Sequence, residues 1–387
     1  MPRRMLLLVA AGEFLGMTLW FSATAASPAI AREFALGGAA RAWLTMAVQA
    51  GFVVGTLVTA TSNLADAINP RRLFAIGAAA GAVMNASIVI AGSAGAVIAL
   101  RFATGVALAW VYPPGLKIAA GWFRERRGTA LGIVVGALTV GSAFPHLLNW
   151  LAAAAPWRVL VLTSSGLAVA GAVLVGVWVQ DGPYVSASAP FDPRAAAAVL
   201  HIRGVRLAIL GYLGHMWELY AMWTWIATFA AASLGAASAG SMVAFIAIAS
   251  GSAGCIAAGF WADAWGRPLV AGVAMLVSAA CALASPALFG APAAVLLAIA
   301  VLWGFSIVAD SAQFSAMVAE HSPRTQVGTA LTLQTSAGFL LTMASMRLVP
   351  AVSAATTWRW AFVVLVPGPL LGAWAMKRLS AAPVRQG

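Results

Sequence analysis

Three carboxylic acids lie inside long apolar stretches of this chain: Glu13, Glu218 and Asp310. The whole sequence has only ten acidic residues, so these three are a large share of them. A charged side chain at the centre of a bilayer costs roughly 2.5–3.5 kcal/mol on insertion scales. Residues placed at this cost usually face a bundle interior or a water-filled path, where they bind protons, ions or substrates. Proton exchange and substrate binding are therefore the chemistry to expect from them.

An imidazole precedes the second of these acids by three residues. On a helix, His215 and Glu218 share a face. A carboxylate beside an imidazole in a low dielectric forms a coupled pair, which suits proton exchange near neutral pH. Asp310 and Gln313 repeat the spacing further along the chain. The competing interpretation is structural, with these groups acting as polar contacts between helices.

Arg101 lies within another apolar stretch, where its side chain either reaches the membrane surface or pairs with an acid or an anionic substrate. Residues 112–115, Tyr-Pro-Pro-Gly, interrupt the same stretch. Broken helices frequently mark transport sites because they free backbone carbonyls, and a plain kink is the alternative. The aromatic residues that we consider as candidates for facing a central cavity are Trp20, Trp110, Tyr112, Trp217 and Trp223.

The composition defines the class of protein to which these residues belong. Of the 387 residues, 62% are hydrophobic and 8% are charged, and the mean hydropathy is +0.94. Such a chain is a polytopic membrane protein. The net charge of +12 comes from basic residues scattered between apolar stretches, which excludes a nucleic-acid surface. The two cysteines, Cys255 and Cys281, fit neither a disulfide framework nor a metal site, and we expect no metal and no cofactor.

At about 20 apolar residues per crossing, the sequence predicts twelve transmembrane helices. They are expected near residues 5–30, 42–62, 73–92, 95–122, 128–151, 159–180, 205–232, 239–262, 268–289, 292–318, 326–350 and 359–377. The predicted fold class is all-α, with two pseudo-symmetric six-helix bundles at residues 1–180 and 205–387. The proline-containing polar segment 181–204 joins them as a cytoplasmic loop.

Three short matches relate the two predicted bundles. In the first and second half respectively, they fall at 128–131 and 328–331, at 157–158 and 358–359, and at Asp66 and Asp263. Their offsets are 200, 201 and 197 residues, and they fall at equivalent helix ends. A parallel repeat of six spans is a transporter architecture with the site at the repeat interface. Sixteen of the 22 lysines and arginines fall on the side of the N-terminus and four on the other, which predicts cytoplasmic termini in a prokaryotic inner membrane.

Several motifs support this architecture. Residues 259–267, Gly-Phe-Trp-Ala-Asp-Ala-Trp-Gly-Arg, resemble the loop signature G-x-x-x-D-x-x-G-R of the major facilitator superfamily. A degraded copy at residues 62–72 retains Asp66. Arg101 with Gly105 is similar to the R-x-x-x-G element of that superfamily. Residues 132–137 are similar to its antiporter signature, except that alanine replaces the proline at position 137.

The resemblance covers the whole chain and implies a transporter in which helices 1, 4, 7 and 10 line a central cavity. All three embedded acids fall on those helices. The proton-coupling and substrate residues expected from this placement are Glu13, Arg101, His215, Glu218, Asp310 and Gln313. The loop signature implies a cytoplasmic gate formed by Asp66, Arg71, Arg72, Asp263, Gly266 and Arg267.

We therefore expect a monomeric secondary transporter that moves a small molecule by alternating access, coupled to protons. The sequence contains no nucleotide-binding loop, so ATP does not drive it. The alternatives are drug or metabolite efflux, which Ala137 disfavours, and uptake of an organic anion held by Arg101 or Lys117. An intramembrane enzyme is the least favoured interpretation, because no nucleophile–base or metal-binding pattern is present.

Overall fold

The computed structural model describes residues 1–62, 64–124, 127–152, 154–184 and 198–381, and every regular element in these ranges is a helix. This is the expected outcome for apolar segments in lipid, where a helix satisfies its own backbone groups. The predicted loop 181–204 lies largely outside the described residues.

The first half of the chain contains α1 to α11. They are α1 (Pro2–Met17), α2 (Ser22–Ala25), α3 (Ser27–Glu33), α4 (Gly38–Arg41), α5 (Trp43–Thr61), α6 (Leu64–Ala67), α7 (Pro70–Ser87), α8 (Ala94–Leu108), α9 (Tyr112–Trp122), α10 (Arg127–Leu151) and α11 (Trp157–Trp178).

The second half continues with longer helices and several short 3-10 turns. Its helices are α12 (Arg203–Leu234), α13 (Ala237–Trp265), α14 (Arg267–Leu288), α15 (Ala293–Ala309), α16 (Ser311–His321), α17 (Val327–Ala355) and α18 (Pro367–Ser380).

Within the described residues, ten helical segments are long and apolar enough to cross a membrane. Ten of the twelve predicted crossings correspond to these segments. The other two, at 5–30 and 205–232, are not among them. The first is divided into α1, α2 and α3, while the second is α12, a helix of 32 residues that contains His215 and Glu218. The count of twelve stays a prediction for these two.

Three of the predicted crossings are broken between two α-helices: between α1 and α2, between α8 and α9, and between α15 and α16. The twelfth begins with 3-10 turns at Trp358–Trp360 and Val363–Leu365 before α18. The prediction of a break at residues 112–115 is confirmed. Pro113 and Pro114 lie in the first turn of α9, where a missing backbone N–H costs nothing. The third break falls at Asp310, one of the embedded acids.

The two halves of the chain pack together through α10 against α13 and through α5 against α17. A Cβ added to Gly136 would lie 3.3 Å from the Cβ of Ser252, so the absence of a side chain allows α10 and α13 to approach closely. Asn149 donates a hydrogen bond to Ser241 Oγ over 2.8 Å between the same helices. We call the end of the molecule where α1 begins the proximal end, and the opposite end the distal end.

Candidate transport site

The imidazole of His215 lies against the helix break at Asp310. Its Nδ1 is 2.8 Å from Asp310 Oδ1, and both side chains are almost completely buried. The two atoms are at ion-pair distance without the alignment of a hydrogen bond. The rings of Phe314 and Tyr212 lie 5.7 Å and 6.0 Å from the imidazole, so the pair has an apolar surround. This contact joins α12 to the broken helix α15–α16.

Glu218 has partners of a different kind. Its carboxylate accepts hydrogen bonds from Ser278 Oγ over 2.6 Å and from Trp303 Nε1 over 2.7 Å, which connect α12 to α14 and α15. The predicted pairing of His215 with Glu218 is therefore replaced by two separate contacts. A spacing of three residues places the two side chains on one face, but each meets a different neighbouring helix.

Glu13 is completely buried in α1, and neither carboxylate oxygen has a hydrogen-bond partner among the described residues. Its side chain packs against Gly115, where an added Cβ would meet the carboxylate directly. Tyr112, in the first turn of α9, is near enough to interact electrostatically with Glu13 and, from the second half of the chain, with Cys255. Glu13 thus lies close to the interface between the two halves.

Arg101 is fully buried in α8, and its guanidinium binds the break between α1 and α2. Nη1 donates to the carbonyl oxygen of Leu19 over 2.9 Å, and Nη2 donates to that of Trp20. Nε donates to the carbonyl oxygen of Leu44 over 3.0 Å, and Nη1 also donates to Asn85 Oδ1 over 3.0 Å. The side chain does not reach the surface and has no acid partner among the described residues, so these two expectations for Arg101 are not supported.

An aromatic cluster joins the two halves beside this break. We define it as Trp20, Phe21 and Phe52 from the first half with Tyr220, Trp223 and Phe339 from the second. The rings of Trp20 and Tyr220 stack at 5.7 Å, and those of Phe52 and Phe339 lie 4.7 Å apart. The indole nitrogens of Trp20 and Trp223 are buried without hydrogen-bond partners among the described residues. Two of the predicted aromatic residues, Trp20 and Trp223, thus lie at the interface.

A profile of the Major Facilitator Superfamily matches residues 9–309. The chain belongs to the Major Facilitator Superfamily. It is accordingly an integral membrane protein of a transporter family.

Two known transporters are similar to this chain, one in sequence and one in fold. The hexuronate transporter of Escherichia coli (strain K12) is 27% identical over 168 residues, which cover 42% of this chain and 38% of that protein. The chain therefore aligns with less than half of the length of this curated relative. The crystal structure of the nucleoside transporter NupG superposes with a TM-score of 0.72 at 14% identity, covering 97% of this chain and 99% of that chain. This second likeness shows the superfamily fold.

Other predicted cavity residues have partners within one half. Trp110 donates from Nε1 to Thr59 Oγ1 over 2.9 Å, so its ring lies between helices of the first half. Trp217 donates from Nε1 to the carbonyl oxygen of Val364 over 3.0 Å, which directs it toward α18. The expectation that these two tryptophans face a central cavity is not supported.

The superfamily loop residues are held by partners at the proximal end. Arg71 binds both carboxylate oxygens of Asp181 at 2.9 Å and donates to the carbonyl oxygen of Val179 over 2.7 Å. Burial raises the pKa of Asp181, but hydrogen bonds from Arg71 and Asn69 outweigh it and lower that pKa below its ordinary value. The bond to Asp181 fixes the start of α7 to the end of α11.

In the second half, Arg267 donates from Nε to Glu320 over 2.8 Å and from Nη1 to Gln313 Oε1 over 2.9 Å. Gln313 therefore contacts the loop signature, whereas the sequence placed it with the proton-coupling residues. Gly266 adopts φ +87° between α13 and α14, a conformation that favours glycine. Arg72 and Asp263 are exposed, and the side chain of Asp66 lies outside the described residues.

Two buried amides that were not predicted from the sequence complete the N-terminal half of the site. Asn85 accepts from both Arg101 and Ser22, and it donates from Nδ2 to Ser165 Oγ over 3.0 Å. Gln49 is buried in α5 with neither amide atom hydrogen-bonded among the described residues. Both residues could have been identified from the sequence, because a primary amide inside an apolar span, like an embedded acid, needs a polar partner or a functional role.

Proposed function

We propose that this protein is a proton-coupled secondary transporter that moves a small molecule across a prokaryotic inner membrane by alternating access. In this proposal twelve helices form two bundles, residues 1–180 and 205–387, with cytoplasmic termini and a cytoplasmic segment 181–204, and the protein acts as a monomer. The observation that carries the proposal is the buried contact between His215 and Asp310 at the break between α15 and α16.

The strength of the contact between His215 and Asp310 depends on the charges of the two groups. In a low dielectric an imidazolium and a carboxylate attract strongly. Proton transfer within the pair neutralises both groups, and proton uptake by the carboxylate neutralises one, so either event removes the attraction. The pair links α12 to a helix that is already interrupted, so its protonation state changes the free energy of one arrangement of these helices relative to another. A ligand, here a proton, drives a conformational change only if it binds one arrangement of the helices more tightly than the other.

Glu218, unlike Asp310, does not need a role in proton coupling to explain its burial. Its two hydrogen bonds satisfy the carboxylate within α12, α14 and α15, so a structural role accounts for it. Organic-anion uptake through Arg101 is disfavoured, since its guanidinium is occupied by backbone carbonyls and Asn85. Lys117, the other cation considered for an anion, has an interaction of its own.

The test uses full-length protein in liposomes that contain a pH-sensitive dye and carry an imposed proton gradient. Sugars, nucleosides, amino acids, organic amines and carboxylates are added one at a time. We expect one class to dissipate the gradient with wild-type protein and neither Asp310→Asn nor His215→Gln to support this flux. The matched control is His201→Gln, at an exposed histidine just before α12. Wild-type flux in both pair variants, or no compound-dependent flux from any class, would contradict the proposal.

A further inference from the structure

We infer that the substrate is an organic cation with an apolar ring, whose positive charge is held by Glu13 and whose ring packs on the aromatic cluster. The inference rests on the proposed transport function and identifies the chemical class of its substrate.

The first step concerns which embedded acid is available for a ligand. Asp310 has His215 at ion-pair distance, and Glu218 accepts two hydrogen bonds. Among the described residues only Glu13, of these three acids, has no partner for either oxygen. A buried polar group without a partner costs about 1–3 kcal/mol, and more when charged. Such a group in a native fold calls for an explanation, and a ligand that binds it is one.

The position of Glu13 relative to the aromatic cluster also favours such a ligand. Trp20 lies in the break that directly follows α1, so Glu13 and Trp20 belong to the same crossing. Val111, the residue before Tyr112, packs against Gly16 of α1, where an added Cβ would lie 3.1 Å from the Val111 side chain. Tyr112 lies near Glu13, and it is also within electrostatic range of Tyr212 in α12. The carboxylate and the aromatic cluster therefore border the same interface between the halves of the chain.

The third step concerns the sign of the ligand's charge. Arg101 is the only buried lysine or arginine among the described residues, and its donors are already bonded to carbonyl oxygens and Asn85. An anionic ligand would meet Glu13 with no available cation to offset it. A neutral ligand would leave the carboxylate without an ionic partner. A cation satisfies Glu13 and is also attracted by the faces of tryptophan and tyrosine rings.

The fourth step concerns the apolar part of the ligand. Trp20 and Tyr220 stack across the interface, with Phe52 and Phe339 beside them. Offset or edge-on packing of a further ring is worth about 0.5–1.5 kcal/mol beyond its area burial. Gly115 has no side chain, and the carboxylate of Glu13 occupies the space that a Cβ would fill there.

Binding of three molecules that differ in charge tests the inference. Full-length protein in detergent is titrated calorimetrically with 4-phenylbutylamine, 4-phenylbutanol and 4-phenylbutyrate. We expect the amine to bind at least about tenfold more tightly than the alcohol and the acid, the ratio for one charge-assisted contact. Benzylamine, which has three fewer methylene groups to bury, is expected to bind more weakly than 4-phenylbutylamine.

Variants then locate the contact. Glu13→Gln is expected to lower the affinity for the amine by about tenfold and to leave the affinity for the alcohol unchanged. Gly115→Ala displaces the carboxylate and is expected to act in the same direction, so the test does not depend on one variant folding. Glu33→Gln, an exposed acid of the same half, is the control. Equal binding of the three molecules, or an unchanged preference for the amine in both variants, would overturn the inference.

The same titration separates this inference from the proposed function. Asp310→Asn is expected to keep the preference for the amine over the alcohol while losing proton flux in liposomes. Proton flux that depends on a neutral or anionic compound would leave the coupling proposal standing and reject the cation.

Discussion

The Nη1 atom of Arg101 donates a hydrogen bond to the carbonyl oxygen of Leu19 over 2.9 Å, and this contact stabilises a break within the first crossing. Interrupting a helix in an apolar environment leaves carbonyl oxygens without their intrahelical partners, at a cost of several kcal/mol each in lipid. One buried guanidinium offers five donors in a fixed geometry, which suits several convergent carbonyls. Arg101 is thus a positioning residue for the aromatic cluster that begins at Trp20.

The first prediction concerns this clamp. Arg101→Lys removes the fork geometry, since one ammonium cannot reach the carbonyls of Leu19, Trp20 and Leu44 together. We expect the free energy of unfolding to fall by about 1–3 kcal/mol, measured as a lower midpoint of thermal unfolding in detergent. Arg347→Lys, an exposed position in α17, is the control and should leave the midpoint unchanged. A midpoint for Arg101→Lys that equals the wild-type value would refute the clamp.

The second prediction separates two of the embedded acids. Glu218→Gln keeps one acceptor oxygen for Ser278 or Trp303, and we expect it to lose about 0.6–1.7 kcal/mol of stability while retaining proton-coupled transport. Asp310→Asn should instead lose proton coupling. The measurements are thermal unfolding and proton flux on the same preparations. Loss of coupling in Glu218→Gln with full coupling in Asp310→Asn would reverse the assignment.

Comparing these contacts with the sequence shows where prediction from sequence succeeds. Apolar length predicted ten crossings that the structure also contains, because hydrocarbon thickness and backbone hydrogen bonding fix helix length. The break before Tyr112 was predictable because prolines mark it locally. The break after Met17 has no proline at residues 18–21, and its stabilising partner Arg101 is about 80 residues away in the chain.

The site shows the same distinction between local and distant information. Embedded acids and His215 could be found one by one, since each is a polar group in an apolar run. Their partners could not, because spacing assigns a side chain to a helix face without saying which helix lies opposite. His215 and Glu218 share a face, yet one meets Asp310 and the other meets Ser278 and Trp303.

The third prediction concerns pH and the pair of Asp181 with Arg71. Because the pKa of Asp181 is lowered in the folded protein, its carboxylate contributes stability at neutral pH. That contribution disappears as the pH falls below the ordinary value of about 3.9 and through the lowered pKa. Asp181→Asn should therefore be less stable than wild type at pH 7, by about 0.2–1 kcal/mol for an exposed pair, and equal to it at the acid limit.

Thermal unfolding of both proteins from neutral to acidic pH measures this difference. High salt should reduce it at neutral pH, because exposed charges are screened. Asp263→Asn, at an exposed acid of the same proximal end, is the control. A difference between Asp181→Asn and wild type that persists unchanged through the acid range would contradict the ion-pair explanation.

The fourth prediction concerns how the aromatic cluster holds the two halves together. Phe339 lies 4.7 Å from Phe52, 5.2 Å from Tyr220 and 5.8 Å from Trp20, measured between ring centroids. Each such pair contributes about 0.5–1.5 kcal/mol beyond area burial, so Phe339→Ala removes a free energy comparable to that separating two conformations of a transporter. We expect it to shift the population toward a state in which the halves are apart at the distal end.

Spin labels at two exposed distal positions, Ala155→Cys and Ala293→Cys, measure this shift by pulsed electron paramagnetic resonance. The buried thiols of Cys255 and Cys281 are first replaced by serine so that only the two introduced positions react. Phe339→Ala should lengthen the distance distribution, whereas Leu340→Ala, which removes an exposed side chain one residue later on α17, should not. If both variants give the wild-type distribution, the cluster does not hold the distal end closed. If both lengthen it equally, the effect comes from α17 as a whole and not from the rings that Phe339 contacts.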